Sequence, residues 1–364
     1  MVKERVLYLS RIKALACIAV VILHTFYTAN NYSPTVGAQS VMLSVRNAMM
    51  WAVPCFVMAS GALLLDRKRT LTPKKLFGKY IFRMVITLVV FSLLFSVFDT
   101  FTTAKRSAGE TVKDTLSDIF LGTGWPHMWY LYLMIAVYLM LPIYKIISTN
   151  AEPKDLKYLL AVYGIGLSVL PFIETITGKK LPFYICVFTI YPLYLFLGHV
   201  LHTGAIRLPK NASGLMFLIS LGIVAMLTVY SCNAVSESPE TAGKINALLT
   251  VYSFPVYIAA AVGAYGYLRK TKNKPVPVLD SIAAELDSCS FGIYLIHMAV
   301  LKFIYAVLKF NPFNNGGTIA VIGVCIVTLA VSYVITKLLK FVPYVKTIIS
   351  HKAPLGELFR YTLF

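Results

Sequence analysis

The chain has 364 residues, 58% of them hydrophobic and only 13% charged, with a mean hydropathy of +0.73. Soluble globular domains carry about a quarter charged residues, so this balance excludes a soluble enzyme or binding module and points to a membrane protein. The formal charge of +19 raises nucleic acid as a partner, but the cations sit one-sidedly between apolar runs, which removes that reason for them.

Apolar stretches near the ~20 residues that cross a bilayer occur at ten places, roughly 9–28, 41–65, 84–104, 127–147, 158–175, 182–201, 213–231, 248–268, 290–308 and 318–340. The first run contains "SRIKALACIAVVILHT" and passes into "TFYTANNY". It is longer than the apolar core of a signal peptide, so it is expected to be a retained first helix. With the N-terminus in the cytoplasm, 25 of the 34 Lys and Arg fall on inner segments or the adjoining helix ends. Only Lys105, Arg106, Lys113, Lys179, Lys180, Lys244 and Lys309 fall on outer ones. That asymmetry sets the expected orientation, both termini cytoplasmic, and assigns the basic excess to contact with anionic lipid.

The densest cluster, "DRKRTLTPKKLFGKYIFR", lies on the inner side between the second and third runs, with Arg67, Lys68, Arg69, Lys74, Lys75, Lys79 and Arg83 against Asp66. It fits either phospholipid headgroups or a multiply phosphorylated ligand. "TPKKLF" reads as the start of an interfacial helix. The longest polar segments, about 105–126, 232–247 and 269–289, are too short for a soluble domain, and no internal repeat is visible. The expected organisation is an all-α polytopic bundle of about ten transmembrane helices. One membrane domain covers 1–340, including the interfacial segment 66–83, and a basic, aromatic cytoplasmic tail covers 341–364. Cys17, Cys55, Cys186, Cys232, Cys289 and Cys325 show no close pairing, so neither a disulfide framework nor a metal site is expected.

Ionisable groups inside spans are costly and mark functional candidates. Here they are His24, Arg46, Glu174, His199, His297 and Lys302, with Asp99 near an outer end. Lys13 and His24 are eleven residues apart on the first helix. At about 100° and 1.5 Å per residue, their side chains fall within ~20° of one face and ~16 Å apart along the axis. One elongated ligand reaches both. Equally, Lys13 snorkels to the headgroups while His24 bonds a neighbouring helix.

The run "LSRIKALACIAVVILHT" resembles the opening of the membrane acyltransferase-3 family, whose signature is a basic residue, ten others, then histidine. "MMWAVPCFVMASGALLLDRKR" is similar to that family's "VPxFFxxSG" segment, and "FGKYIFRMV" stands where members carry a basic motif entering the third helix. "HMWYLYLMIAVYLMLPI" and "CSFGIYLIHMAVL" resemble its "HLWFLxxL" and "SFxIYLxH" segments, in the same order. The likeness spans almost the whole chain. It departs from the pattern where Lys13 stands for the usual arginine, keeping the charge and losing the bidentate fork. It departs again where Tyr80 stands in the first position of the family's R-x-x-R, opposite Arg83.

The resemblance implies an O-acyltransferase of the bacterial cytoplasmic membrane. Such an enzyme takes acetyl or a similar acyl group from cytoplasmic acetyl-CoA and places it on a hydroxyl of an envelope carbohydrate or glycolipid, with no metal. On that reading Arg11, Lys13, Arg67, Arg69, Lys79 and Arg83 are donor contacts, since phosphate charge must dock at the inner face. His24 is the general base, by direct transfer or through an acyl-histidine. Asp99 or Glu174 either orients His24 or faces water. Arg46 either steadies an oxyanion or acidic acceptor or pairs with one of those carboxylates. His127 and Trp129, in the aromatic "GWPHMWYLY", suit sugar stacking or an interfacial belt. His297 is a secondary candidate, better suited to an interhelical hydrogen bond. The rival readings are a transporter or flippase of a glycan or lipid-linked sugar, whose in-span charges line a pathway, and an envelope sensor with a degenerate site.

Overall fold

The computed structural model describes residues 6–104, 108–179, 189–271, 274–342 and 345. The basic tail therefore lies almost entirely outside the described residues, as do Cys186, Lys105, Arg106 and Lys180. Every regular element among the described residues is helical, so the chain is an all-α polytopic membrane protein.

In chain order the helices are α1 (Leu7–Asn30), α2 (Val36–Ala48), α3 (Ala52–Leu64), α4 (Pro73–Thr102), α5 (Ala108–Leu121), α6 (Pro126–Asn150) and α7 (Pro153–Thr177). They continue with α8 (Tyr191–Thr203), α9 (Lys210–Ala234), α10 (Pro239–Leu249), α11 (Pro255–Arg269), α12 (Pro277–Val307) and α13 (Thr318–Leu339). Proline opens α4, α6, α7, α10, α11 and α12, where its fixed φ suits the first turn and its missing N–H has no helical partner to lose. Thr72 caps α4 by accepting the Lys75 amide at 3.3 Å, at the start expected from "TPKKLF".

Eight segments are long and apolar enough to cross a membrane, with α2 and α3 counted together as Val36–Leu64. Two of the ten expected spans come out shorter among the described residues: α8 has 13 helical residues and α11 has 15. Residues 180–188, which include the first third of the expected sixth span, lie outside the described residues. The second span is not continuous, because the chain turns at residues 49–51. Pro54 lacks the amide that would bond the Met50 carbonyl, and its ring crowds that carbonyl, so the helix stops and restarts one turn before the proline. The polar segments also fold further than expected. Residues 105–126 contain α5, 232–247 contain the start of α10, and α12 begins at Pro277 rather than near 290.

Contacts divide the chain into two compact units. The first comprises Met1–Arg69, Lys145–Asp287 and Pro312–Ile322, and the second Thr70–Tyr144, Ser288–Asn311 and Gly323–Phe364. Within the first unit α1 packs on α2, α3 and α11, α9 packs on α2 and α11, and α3 packs on α8. Leu23, Met50, Val224, Leu249, Phe254 and Tyr257 form a buried apolar cluster beside the C-terminal half of α1.

The α3–α8 contact depends on two glycines. A Cβ on Gly61 would lie 1.9 Å from the Leu195 carbonyl oxygen, and one on Gly198 would lie 1.9 Å from the Met58 carbonyl oxygen. Backbone meets backbone there, as small residues allow between membrane helices. Gly198→Ala is expected to destabilise the protein by ~3 kcal/mol, read as a lower thermal unfolding midpoint in detergent. Gly222→Ala on α9, with nothing within 4 Å, should be near neutral. Equal midpoints for the two variants would refute the close crossing.

Candidate active site

Helix α1 carries Lys13 and His24 on one face. The residues between them on that face, Cys17 and Val20, are 3% and 7% exposed, so the line joining the two runs inside the protein rather than along lipid. His24 is half-buried, and its backbone carbonyl accepts the Thr28 hydroxyl at 2.8 Å.

Each cation at the start of α1 meets a carboxylate of α12. Lys13 Nζ lies 2.6 Å from Asp287 Oδ1, with side-chain exposures of 19% and 5%, and Ser10 donates to Asp287 Oδ2 at 2.9 Å. Arg11 is fully engaged. Its Nε and one Nη donate to Asp280 at 2.6 and 2.9 Å, and the other donations go to the Thr271 hydroxyl and carbonyl and to the Lys274 carbonyl. All five N–H groups of its guanidinium are thus used, and none is left for a donor phosphate.

Asp280 and Asp287 are site residues that sequence reasoning missed, because 269–289 reads as a polar connection. The signal was present: Pro277 opens a helix, and Asp280 and Asp287 are seven residues apart, on one helical face.

At the other end of α1, Arg46 stands in the last turn of α2 with its guanidinium carbon 5.5 Å from the centre of the Tyr27 ring, one turn beyond His24. It donates to Asn47 Oδ1 at 2.5 Å and to the Leu249 carbonyl at 3.4 Å. Its Nε is buried without a hydrogen-bond partner among the described residues. Glu174 is half-buried near the end of α7, the same helix whose Phe172 packs on the cluster containing Leu23. The structure therefore sets Arg46 near the C-terminal half of α1 and brings the helix end bearing Glu174 to the same cluster.

Arg67 and Arg69 also belong to the first unit. Arg67 donates to the Ser148 and Ala151 carbonyls at 3.5 and 3.1 Å, and Arg69 to the Leu63 carbonyl at 3.1 Å.

The remaining candidates lie in the second unit. Lys79 is half-buried in a π-helical stretch of α4, Leu76–Ile81. Arg83 is 8% exposed with its guanidinium 5.2 Å from the centre of the Phe291 ring. Asp99 accepts from Lys302 at 2.5 Å and from the Trp125 indole at 2.9 Å, so both its oxygens are engaged inside this unit.

His127 and His297 are 1% and 0% exposed and their rings meet at 5.5 Å, nearly perpendicular, beside Tyr294. His297 Nδ1 bonds the Ile293 carbonyl of its own helix at 3.1 Å, and His127 Nε2 the Leu295 carbonyl at 3.3 Å. His127 is thus buried with an aromatic surround, its Nδ1 without a hydrogen-bond partner among the described residues, and Trp129 stacks edge-on with Tyr130 at 6.1 Å. Among the described residues no group of three or more His, Cys, Asp or Glu side chains is placed to hold a metal.

The acyltransferase-3 family model, described as an acyltransferase domain, matches residues 6–337. No curated protein and no solved structure matches at a significant level. The match begins one residue before α1 and ends in the last turn of α13, so it takes in both units and every helix described above. The chain belongs to the acyltransferase-3 family and is a multi-pass membrane acyltransferase.

Proposed function

We propose that the protein transfers acetyl, or a similar acyl group, from cytoplasmic acyl-CoA to a hydroxyl of a carbohydrate or glycolipid of the cell envelope. The observation that carries this reading is the buried face of α1, with a cation at one end and an imidazole at the other. Coenzyme A carries several phosphate charges and stays at the inner headgroups. Its pantetheine arm is flexible and of a length comparable to the ~16 Å between the two positions. Running beside α1 from its Lys13 end, the arm brings its thioester toward His24.

There a nitrogen of the neutral His24 ring takes the proton of the acceptor hydroxyl as the oxygen attacks the thioester carbonyl. The C–S bond then breaks, the acyl group stays on the acceptor oxygen, and the imidazolium returns its proton to the coenzyme A thiolate. The Arg46 Nε–H, buried without a hydrogen-bond partner among the described residues, supports a role in steadying the oxyanion or an acidic acceptor. Glu174 is the carboxylate proposed to orient the ring. Lys13, Lys79 and Arg83 are proposed donor contacts, together with Arg67 and Arg69. Anionic lipids are the proposed surround of the inner cations, and the bacterial cytoplasmic membrane is the proposed location.

Purified protein mixed with acetyl-CoA in the absence of acceptor should release free coenzyme A slowly but catalytically, as water replaces the hydroxyl. A thiol reagent follows the release. Glycan movement without any thiol release would instead favour a transporter.

A further inference from the structure

One end of the first unit gathers positive charge around two histidines. Helix α8 carries His199 and His202 one turn apart. His199 is 3% exposed, and its Nδ1 has no hydrogen-bond partner among the described residues. Burial weighs most on its ring, and the charges of His202, Lys145 and Arg67 also act on it, opposed by that of Asp66.

Those two cations are held only by backbone carbonyls. Lys145 donates to the Asp66 carbonyl, and Arg67 to the Ser148 and Ala151 carbonyls. Neither has a carboxylate within ion-pair distance among the described residues, in contrast to Arg11 and Lys13. Beyond His202 the helix ends at Gly204 in the left-handed region, φ 87°. A side chain there would meet the Arg269 guanidinium at 3.2 Å and Arg207 Nε at 3.9 Å. Arg269 also donates to the His202 carbonyl at 3.3 Å, and His202 Nδ1 bonds the Tyr8 hydroxyl at the start of α1. The C-terminal carbonyls of α8 explain why some cations collect there. They do not explain a histidine nitrogen buried among them without a partner.

We infer that this cluster binds a phosphate monoester dianion. Arg67, Lys145, Arg207 and Arg269 supply the charge, and a neutral His199 with its proton on Nδ1 supplies a buried donor. The inference rests on the acyl-CoA reading and gives the donor its anchor: the 3′-phosphate is the one phosphate monoester of coenzyme A. A phospholipid headgroup of the phosphatidylglycerol type offers a diester with a single charge and is the weaker match.

The test uses the full-length protein in phosphatidylcholine nanodiscs, titrated with coenzyme A and with dephospho-coenzyme A. The wild type is expected to bind coenzyme A about tenfold more tightly than the dephospho form, the scale of one charge-assisted contact set. Arg67→Gln/Lys145→Gln should weaken coenzyme A about tenfold and bind the two compounds alike. Arg207→Gln/Arg269→Gln should do the same and serves if the first pair fails to fold, with the thermal unfolding midpoint as the check. Folded variants that keep the wild-type preference would overturn the inference and leave the acyl-CoA reading intact. A wild type that binds no coenzyme A would overturn both. Variants that lose phosphatidylglycerol binding yet keep coenzyme A would assign the cluster to lipid and overturn the inference.

Discussion

Replacing His24 by alanine is expected to lower acyl transfer from acetyl-CoA by about 10³-fold, within the span usual for loss of a general base. Hydroxyls of sugars are poor nucleophiles at neutral pH, and His24 is the one imidazole that α1 carries. His24→Gln keeps size and polarity without a basic nitrogen, so it should be as inactive as the alanine variant. Donor affinity should stay within a few-fold, because Lys13, the proposed donor contact on this helix, lies at its opposite end. Folding should also survive. His24 is half-buried, so its truncation removes little packing compared with a core residue such as Leu23 or Phe26, at 6% and 5% exposure. The assay is acyl transfer by membranes containing equal amounts of inserted protein. Activity of His24→Ala within threefold of wild type would sink the mechanism.

The sequence revealed most of the scaffold, for reasons that are local. Bilayer-length apolar runs, helix-starting prolines and the clustering of cations on one side are all read within a few residues. The break at 49–51 was equally local but was masked by the unbroken hydropathy of 41–65, although Pro54 was its visible cause.

What stayed hidden was pairing over long sequence separation. Nothing near Lys13 announces Asp287, and nothing near Asp99 announces Lys302, because each pair meets only when distant helices pack. The polar appearance of 269–289 concealed that Asp280 and Asp287 stand on the first turns of a long helix, where a carboxylate can be held by α1. In the sequence His199 is only one of several ionisable groups inside a span. An inner helix end is an ordinary place for a histidine, and only the packed structure shows its nitrogen among cations without a partner. The likeness of "LSRIKALACIAVVILHT" to a family opening marked Lys13 and His24 directly, but it said nothing of the carboxylate that holds the lysine.

That carboxylate changes what a mutation at Lys13 measures. Lys13→Met should inactivate the enzyme and also destabilise it by ~3–5 kcal/mol, the usual cost of leaving a buried charge without its partner. Asp287 is 5% exposed, and its Lys13 ion pair and the Ser10 hydroxyl meet it inside the protein. Loss of activity in the single variant therefore cannot separate a structural lysine from a donor contact, whereas the double variant can. In Lys13→Met/Asp287→Met both charges are gone and two flexible apolar side chains fill the space, so the thermal midpoint should return to within a few degrees of wild type. If Lys13 places the donor, turnover of the double variant stays at least about 100-fold below wild type, because a charge-assisted phosphate contact is still missing. Lys13→Arg should retain activity, since it keeps the cation and adds a second donor toward Asp287 or phosphate. Wild-type kinetics in the folded double variant would reduce Lys13 to half of an ion pair and move the donor contact elsewhere on the inner face.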